Sequence, residues 1–188
     1  MKAPFRLETA RLLLRRPEPE DARAILDRYA GDPEVTRYLG WPRHRSLDDT
    51  LSFLRFSEQE WERWPAGPYL ICARAGSPDA RLLGSTGLSF EQPDLAMTGY
   101  VLARDAWGQG YATEALTAMV ALAGSLGVQR LFALCHPDHR PSYRVLEKCG
   151  FARDASWSGQ TGFPNLGPGG LEDTLRFELL TGPAATAS

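Results

Sequence analysis

The sequence predicts an α/β protein, a mixed sheet with helices packed on both of its faces. Two observations carry that expectation. Seven apolar segments of strand length are interspersed with segments of helical period, in the order strand, helices, three strands, helix, strand, helix, two strands. The 188 residues, 43% hydrophobic and 23% charged, also suit one ordinary core. A single domain is expected over residues 1–181, with residues 182–188 as a flexible C-terminal tail.

Leu12 to Arg15 reads as the first strand. Pro17-Glu18-Pro19-Glu20-Asp21 follows, and proline with acids at a helix start predicts a helix to about Ala30. Asp32-Pro33 repeats the signal as N-cap and first helical residue of a short helix to Leu39. Ser46-Leu47-Asp48-Asp49 is a capping box with Asp in place of Glu. It opens a helix through Trp64 whose buried stripe holds Leu51, Phe53, Leu54 and Trp61. Tyr69 to Arg74 and Arg81 to Phe90 are strands flanking the turn Gly76-Ser77-Pro78-Asp79, and Met97 to Ala103 is a third. The next helix, Thr113 to Leu126, sets Leu116, Met119, Val120 and Ala123 at helical spacing and ends at Gly127. Arg130 to Cys135 is a strand and Pro141 to Cys149 a helix ended by Gly150. Phe151 to Trp157 and Leu175 to Leu180 are the last strands, with a glycine-rich excursion between them.

Chemistry concentrates where the third of those central strands breaks at Arg104-Asp105 and enters Trp107-Gly108-Gln109-Gly110-Tyr111-Ala112. Glycines just before a helix leave backbone N–H groups free at the positive end of its dipole, with no Cβ to keep an anion away. Two phosphate motifs fail here. No lysine follows Gly110, as a P-loop requires, and Thr113 stands where a dinucleotide fingerprint needs its third small residue. Val128-Gln129-Arg130-Leu131 also lacks the acid that would hold a ribose. As a bare pattern the loop is either an anion cradle or an ordinary strand-to-helix turn.

The segment Trp107 to Ala112 resembles the Q/R-x-x-G-x-G/A signature of the GNAT N-acetyltransferases. Gly110 and Ala112 take its small positions, and Trp107 departs from the usual Gln or Arg. Within that family the branch of the ribosomal-protein N-terminal acetyltransferases RimJ and RimL is suggested by further segments. These are Glu8-Thr9-Ala10-Arg11-Leu12-Leu13-Leu14-Arg15, Asp32-Pro33-Glu34-Val35, Tyr38-Leu39-Gly40-Trp41-Pro42 and Val145-Leu146-Glu147-Lys148-Cys149-Gly150-Phe151. The resemblance runs from about Leu7 to Leu180. It implies the GNAT fold, a mixed, mostly antiparallel twisted sheet of six to seven strands, with acetyl-CoA as co-substrate and no metal. The strand before the glycine loop should lie beside the one after its helix and leave a cleft at the loop.

The same resemblance implies roles. Backbone amides over Trp107, Gly108, Gln109, Gly110, Tyr111, Ala112 and Thr113 would hold the pyrophosphate. Backbone N–H groups around Tyr100, Val101 and Leu102 would polarise the thioester carbonyl, where preorganised donors are worth roughly 2.7–4 kcal/mol each. Ser142 falls on the Ser of the branch's N-x-x-S and would donate to the departing sulfur, while the Tyr often found four residues before Gly-Phe is here Leu146. His139 takes the place of a CoA-contacting Asn. Tyr38 and Trp41 would line the acceptor pocket, and Phe163-Pro164-Asn165-Leu166 another wall. Plainer readings stand beside these: Ser142 as a first-turn cap, His139 as a loop residue, Tyr38 and Trp41 as staples onto the core.

Many branch members carry an acid two residues before the Gly-Tyr of this strand, where this chain has Met97. Glu91, Asp94, His136 and His139 are the substitutes for a base, with Glu91 placed on the acceptor side. Without the usual acid, an α-amine of pKa about 7.7–8.0 is an easier acceptor than a lysine near 10.4. A polyamine, amino acid or antibiotic amine is the alternative acceptor, and a non-catalytic acyl-CoA-binding module the alternative activity.

Net charge of −2 gives no bulk case for nucleic acid or an anionic membrane, and Arg43-His44-Arg45 reads as a solvated loop. Cys72, Cys135 and Cys149 are odd in number and widely spaced, which favours reduced thiols. No signal sequence or membrane-length apolar run is visible, so a soluble cytoplasmic protein is expected, as monomer or homodimer. Cys135-His136-Pro137-Asp138-His139 crowds its ligands into five residues and is rejected as a metal site.

Overall fold

The computed structural model describes residues 1–74, 81–167 and 171–182; the expected Gly76–Asp79 turn and residues 183–188 of the expected tail lie outside them. Strands β1 (Arg6–Glu8), β2 (Leu12–Arg15), β3 (Pro68–Ala73), β4 (Leu82–Gln92), β5 (Leu95–Leu102), β6 (Arg130–Cys135), β7 (Ala152–Arg153), β8 (Gly159–Gly162) and β9 (Leu171–Leu180) form one sheet. Its order is β1-β2-β3-β4-β5-β6-β9-β7, with β8 pairing another stretch of β9. Every pairing is antiparallel except β5 with β6.

The helices form where their caps predict them. Ser46 Oγ accepts from Asp49 N–H while an Asp49 carboxylate oxygen accepts from Ser46 N–H, closing the capping box that starts α3 (Leu47–Arg63). Asp32 takes the N–H groups of Glu34 and Val35 to start α2 (Pro33–Thr36), which stops short of Leu39. Before it, a 3₁₀ turn at Pro19–Asp21 runs into α1 (Ala22–Ile25) and a wide π turn to Ala30. Beyond the sheet's centre lie α4 (Tyr111–Ser125) and α5 (Arg140–Lys148), both closed by glycines at positive φ, Gly127 and Gly150.

Alternation along the strands puts helices on both faces. On β5, Val101 and the following Ala103 join Ile25, Tyr29 and Leu54 in one apolar cluster, while Leu102 joins Leu116, Met119 and Leu146 in the other. Thr86 and Thr98, both buried, donate their hydroxyls across the β4–β5 pair to the carbonyls of Gly99 and Gly87. All three cysteines are free.

Nine strands replace the six or seven expected. β1 has one half-buried apolar residue, Leu7, too little alternation to register in a sequence. The strand expected over Phe151–Trp157 shrinks to Ala152–Arg153, because an Asp154 carboxylate oxygen turns back to accept from the N–H groups of Ser156 and Trp157. Part of the glycine-rich excursion becomes β8, and β9 starts at Leu171 rather than Leu175. The helix expected from Thr113 begins two residues earlier, at Tyr111.

One irregularity shapes the centre. Ile71 faces Gly84 while the next residue, Cys72, faces Leu82, so Leu83 is an extra residue in β4. That bulge presses Gly84 onto β5, where an added Cβ would overlap the Val101 carbonyl oxygen. Gly84→Ala should therefore destabilise the protein by about 1–3 kcal/mol, the cost of overpacking. A lower urea midpoint at unchanged slope would register it, and an unchanged midpoint would disprove the close approach.

Candidate active site

After Ala103 the chain makes a 3₁₀ turn (Arg104–Ala106), then bends through Gly108 at φ +73° and Gly110 at φ +81°. Side chains with a Cβ rarely adopt that left-handed backbone, which costs them roughly 1–2 kcal/mol. Gly110 is the N-cap of α4 and no side chain caps the helix. The first intrahelical bond runs from Glu114 N–H to Gly110 O, so the N–H groups of Tyr111, Ala112 and Thr113 have no intrahelical acceptor. A cradle of positive φ glycines followed by three free N–H groups at a helix start fits a pyrophosphate. The side chains of its flanking residues face elsewhere: Gln109 Nε2 donates to Asp105 O, and Trp107 Nε1 to Leu102 O.

The loop is held from behind by the N-terminal segment. Arg11 donates from Nε to Glu114 (2.7 Å) and from NH1 to Gln109 O (2.9 Å), with its guanidinium over the Tyr111 ring. Glu114 also accepts from Thr9 Oγ1 and from Arg11 N–H. Burial alone would raise the Glu114 carboxyl, but these hydrogen bonds together outweigh it and hold the group below its ordinary value. A second brace fastens the 3₁₀ turn, where Asp105 accepts from Arg28 and Arg81.

Beside the loop the sheet opens. β5 pairs with β6 only over Leu95–Met97 with Arg130–Phe132, and the two strands diverge beyond. Ala103 N–H bonds Leu83 O, so strand alternation turns the N–H groups of Tyr100 and Leu102 away from β4, toward the opening. Leu102 O, turned the same way, takes the Trp107 indole. Across the opening stands α5. Tyr100 Oη donates to Ser142 O (2.7 Å) and lies 3.0 Å from Ser142 Oγ. Since the phenol has one proton, the serine hydroxyl is the donor in the second contact. Ser142 does not cap its helix, which starts at Arg140 with His139 as N-cap. Burial pushes the Tyr100 hydroxyl up and His139 down, the neighbouring His136 adding to the latter.

A cavity of about 770 Å³ runs from this opening, where Tyr100, His139, Ser142 and Leu146 line it, to the other face of β4 and β5. Ser85, Ser89, Met97, Gly99 and Val101 are among its lining residues, and a Cβ on Gly99 would meet nothing within 4 Å. Aromatic walls come from Tyr29, Tyr38, Trp41, Phe53 and Phe163. Asn165 fixes the 36–43 loop over it, donating to the carbonyls of Thr36 and Trp41 and accepting from Arg43 N–H. His44, also in the lining, pairs its Nδ1 with Thr50 Oγ1 (3.0 Å) and is pushed down by burial, which outweighs the opposing pull of Asp49.

The expected site residues thus fall into three groups. Trp107 to Thr113 form the cradle, and Tyr100, Leu102, His139 and Ser142 surround the opening. Tyr38 and Trp41 line the cavity, Tyr38 with its ring also against His136 and His139. Glu91 does not join them; it is exposed at the end of β4, outside the cavity lining. Asp94 is likewise exposed, and His136 Nδ1 accepts from Asp138 N–H within its own turn. Tyr29, Ser85, Phe53, His44 and Arg43 were missed as site residues, although the alternation Ser85-x-Gly87-x-Ser89 opposite Met97-x-Gly99-x-Val101 signals a strand face too small to fill its space. Among the described residues, no group of three His, Cys, Asp or Glu is placed to hold a metal.

A mixed sheet that opens beside three free N–H groups at a helix start, with a cavity reached from the same strand, is suited to seat an anionic donor beside an acceptor. The chain matches the family described as acetyltransferase (GNAT) domain over residues 11–152, and it belongs to that family. It is an N-acetyltransferase by that membership. The uncharacterized N-acetyltransferase YoaA of Bacillus subtilis is 30% identical over 156 residues, covering 79% of this chain and 83% of that protein. Among solved structures, the ribosomal-protein alpha-N-acetyltransferase RimL in complex with coenzyme A superposes at a TM-score of 0.76, with 19% identity over 94% of this chain and 96% of that one. Spermidine N-acetyltransferase from Vibrio cholerae, in complex with CoA and spermine, superposes at 0.74, with 16% identity over 92% and 97%. These two show the shared fold.

Replacing Glu114 by Gln removes its charge-assisted bonds and should cost about 1–3 kcal/mol at neutral pH. Because the folded-state carboxyl lies below its unfolded value of about 4.3, that stability is present above this pH and lost as pH falls through the folded value. Urea midpoints of wild type and variant measured from pH 7 downward should therefore converge in acid. A constant gap would mean that the charge is not what holds the loop.

Proposed function

We propose that this chain transfers an acetyl group from acetyl-CoA to a weakly basic primary amine, with a protein or peptide N-terminal α-amine as the acceptor class, inside a ternary complex. One observation carries the reading: β5 presents free N–H groups and the Ser142 pair at the opening, while its small side chains face the part of the same cavity that lies on the other face. Acetyl-CoA would supply an activated acyl group, its C–S bond breaking as a C–N bond forms, with the electron pair leaving on sulfur and one amine proton released.

The cradle from Gly108 to Thr113 binds the pyrophosphate through backbone N–H groups. The edge N–H groups of Tyr100 and Leu102 accept charge developing on the carbonyl oxygen. Ser142, whose hydroxyl proton is donated to Tyr100 in this geometry, would turn that O–H onto the sulfur, a light duty because a thiol with pKa about 8.5 leaves readily at neutral pH. Neutral imidazoles at His44 and His139 are the groups of suitable basicity among the described lining residues to take the amine proton.

Acceptor basicity decides how much help is needed. At pH 7.5, freeing a lysine amine costs about 4 kcal/mol, against less than about 0.7 for an α-amine. With Met97 in the cavity and no unengaged carboxylate among the described lining residues, the weaker base is favoured. The activity of RimL, an alpha-N-protein acetyltransferase, points the same way. That of the spermidine enzyme keeps small amines as a second reading.

Free-thiol release from acetyl-CoA tests this against α-amine peptides, lysine peptides, spermidine and aminoglycosides. An α-amine peptide should outrun its lysine counterpart, and the reverse order would sink the acceptor assignment. CoA binding without turnover of any amine would instead make the chain a binding module. For an α-amine acceptor, kcat/KM should rise with pH and level off above about pH 8, because the amine is then neutral and both imidazoles, shifted down, already are. Ser142→Ala should lower kcat by about tenfold or less, against the 10²–10⁴ of a true general acid.

A further inference from the structure

The walls of the acceptor cavity say what surrounds the amine. Trp41, Phe53 and Phe56 give it an aromatic side, Phe53 and Phe56 coming from successive turns of α3. Its lining holds one carboxylate among the described residues, Asp49, whose Oδ2 is occupied by the N–H groups of Arg45 and Ser46 and the Ser46 hydroxyl. Its lining cation, Arg43, is half-buried, and no described residue pairs with its guanidinium. Arg37, stacked on Tyr38, adds a second positive group at the same loop. Deeper in, the fully buried Tyr29 hydroxyl lies beside Ser85, also in the lining, yet has no hydrogen bond of good geometry. A buried phenol without a partner in a cavity wall costs free energy unless a ligand satisfies it.

From these we infer that the acceptor is an amine carried next to a large apolar, aromatic group and followed by an anionic group. The inference rests on the transferase reading above and names its substrate chemistry. Trp41, Phe53 and Phe56 hold the aromatic group, Arg43 pairs with the anion, and the Tyr29 and Ser85 hydroxyls meet a polar atom of the acceptor at depth. A polycation fits poorly, since it would set amines against Arg43 and Arg37 with only Asp49, already held by Arg45 and Ser46, to receive them. The anion has two possible sources, the carboxylate of a free aromatic amino acid or an acidic residue behind an aromatic N-terminus.

Thiol release with wild type and with Arg43→Ala, Arg43→Lys and Tyr29→Phe separates these. The acceptors are phenylalanine, phenylalanine amide, the amidated peptides Phe-Asp-Asp and Phe-Lys-Lys, and spermidine. In the wild type at least one anion-bearing acceptor should exceed phenylalanine amide in kcat/KM by about tenfold, the size of one charge-assisted bond, and whichever leads identifies the source. Arg43→Ala should erase that gap through KM, Arg43→Lys should restore part of it, and Tyr29→Phe should raise KM for the leading acceptor. Preference for spermidine or Phe-Lys-Lys, or an equal loss on every acceptor in Arg43→Ala, would overturn the inference while leaving the transferase reading intact. No amine-dependent thiol release with any of these acceptors would remove both.

Discussion

The structure depends on a pairing that stops. Strands β5 and β6 run parallel and share three residue pairs, Leu95–Met97 with Arg130–Phe132, before they part. A parallel pair carried further would bond the edge of β5 and leave nothing to offer a ligand. By ending at Met97, it leaves the N–H groups of Tyr100 and Leu102 facing an opening rather than a partner strand. Antiparallel neighbours on the outer sides, β4 along all of β5 and β9 along all of β6, supply the ladder that keeps each strand extended despite the gap. Tyr100 then bridges the divergence to Ser142 on α5, so the opening is spanned by hydrogen bonds between side chain and helix instead of collapsing.

The cradle at Gly110 would be mobile by itself, because its left-handed glycines constrain little and α4 has no side-chain cap. Its order is borrowed from the start of the chain. Thr9 and Arg11, 98 to 105 residues away in sequence, bind Glu114 and the carbonyl of Gln109. Each of these contacts is partly exposed and weak alone. Together they converge on one carboxylate, whose lowered pKa records that the network favours its charged form. The short strand–turn–strand segment Glu8 to Arg15 therefore does more than begin the sheet; it anchors the loop that the anion would meet.

Most of the helical architecture could be read in advance because local chemistry decides it. Asp32, Ser46, Gly127 and Gly150 end or start helices through contacts with their own neighbours, and the structure keeps them in those roles. The glycine cradle was legible for the same reason. What failed to show was decided at long range. β1 is held by its pairing with β2, by Leu7 against the core and by Glu8 with Arg74, and the Asp154 turn shortened a strand whose apolar pattern looked sufficient. Arg43 read as a solvated loop residue because nothing nearby in sequence reveals that Asn165 pins its backbone over a cavity. Glu91 was drawn toward the site by its charge, although β4 carries it past the cavity's end.

The two faces of β5 divide the labour. Tyr100 and Leu102 pack toward α4 and α5, the side proposed for the donor, whereas Met97, Gly99 and Val101 turn toward α3 and the 36–43 loop, the side proposed for the acceptor. The strand is rigid between them, with Thr86 and Thr98 bonding across to fix its register against β4. Such an arrangement lets the acceptor pocket change its lining without disturbing the groups that would hold the acyl donor. Met97, 37% exposed on that lining, stands where the resemblance to the RimJ and RimL branch implies an acid, so this position offers no carboxylate to a strongly basic amine.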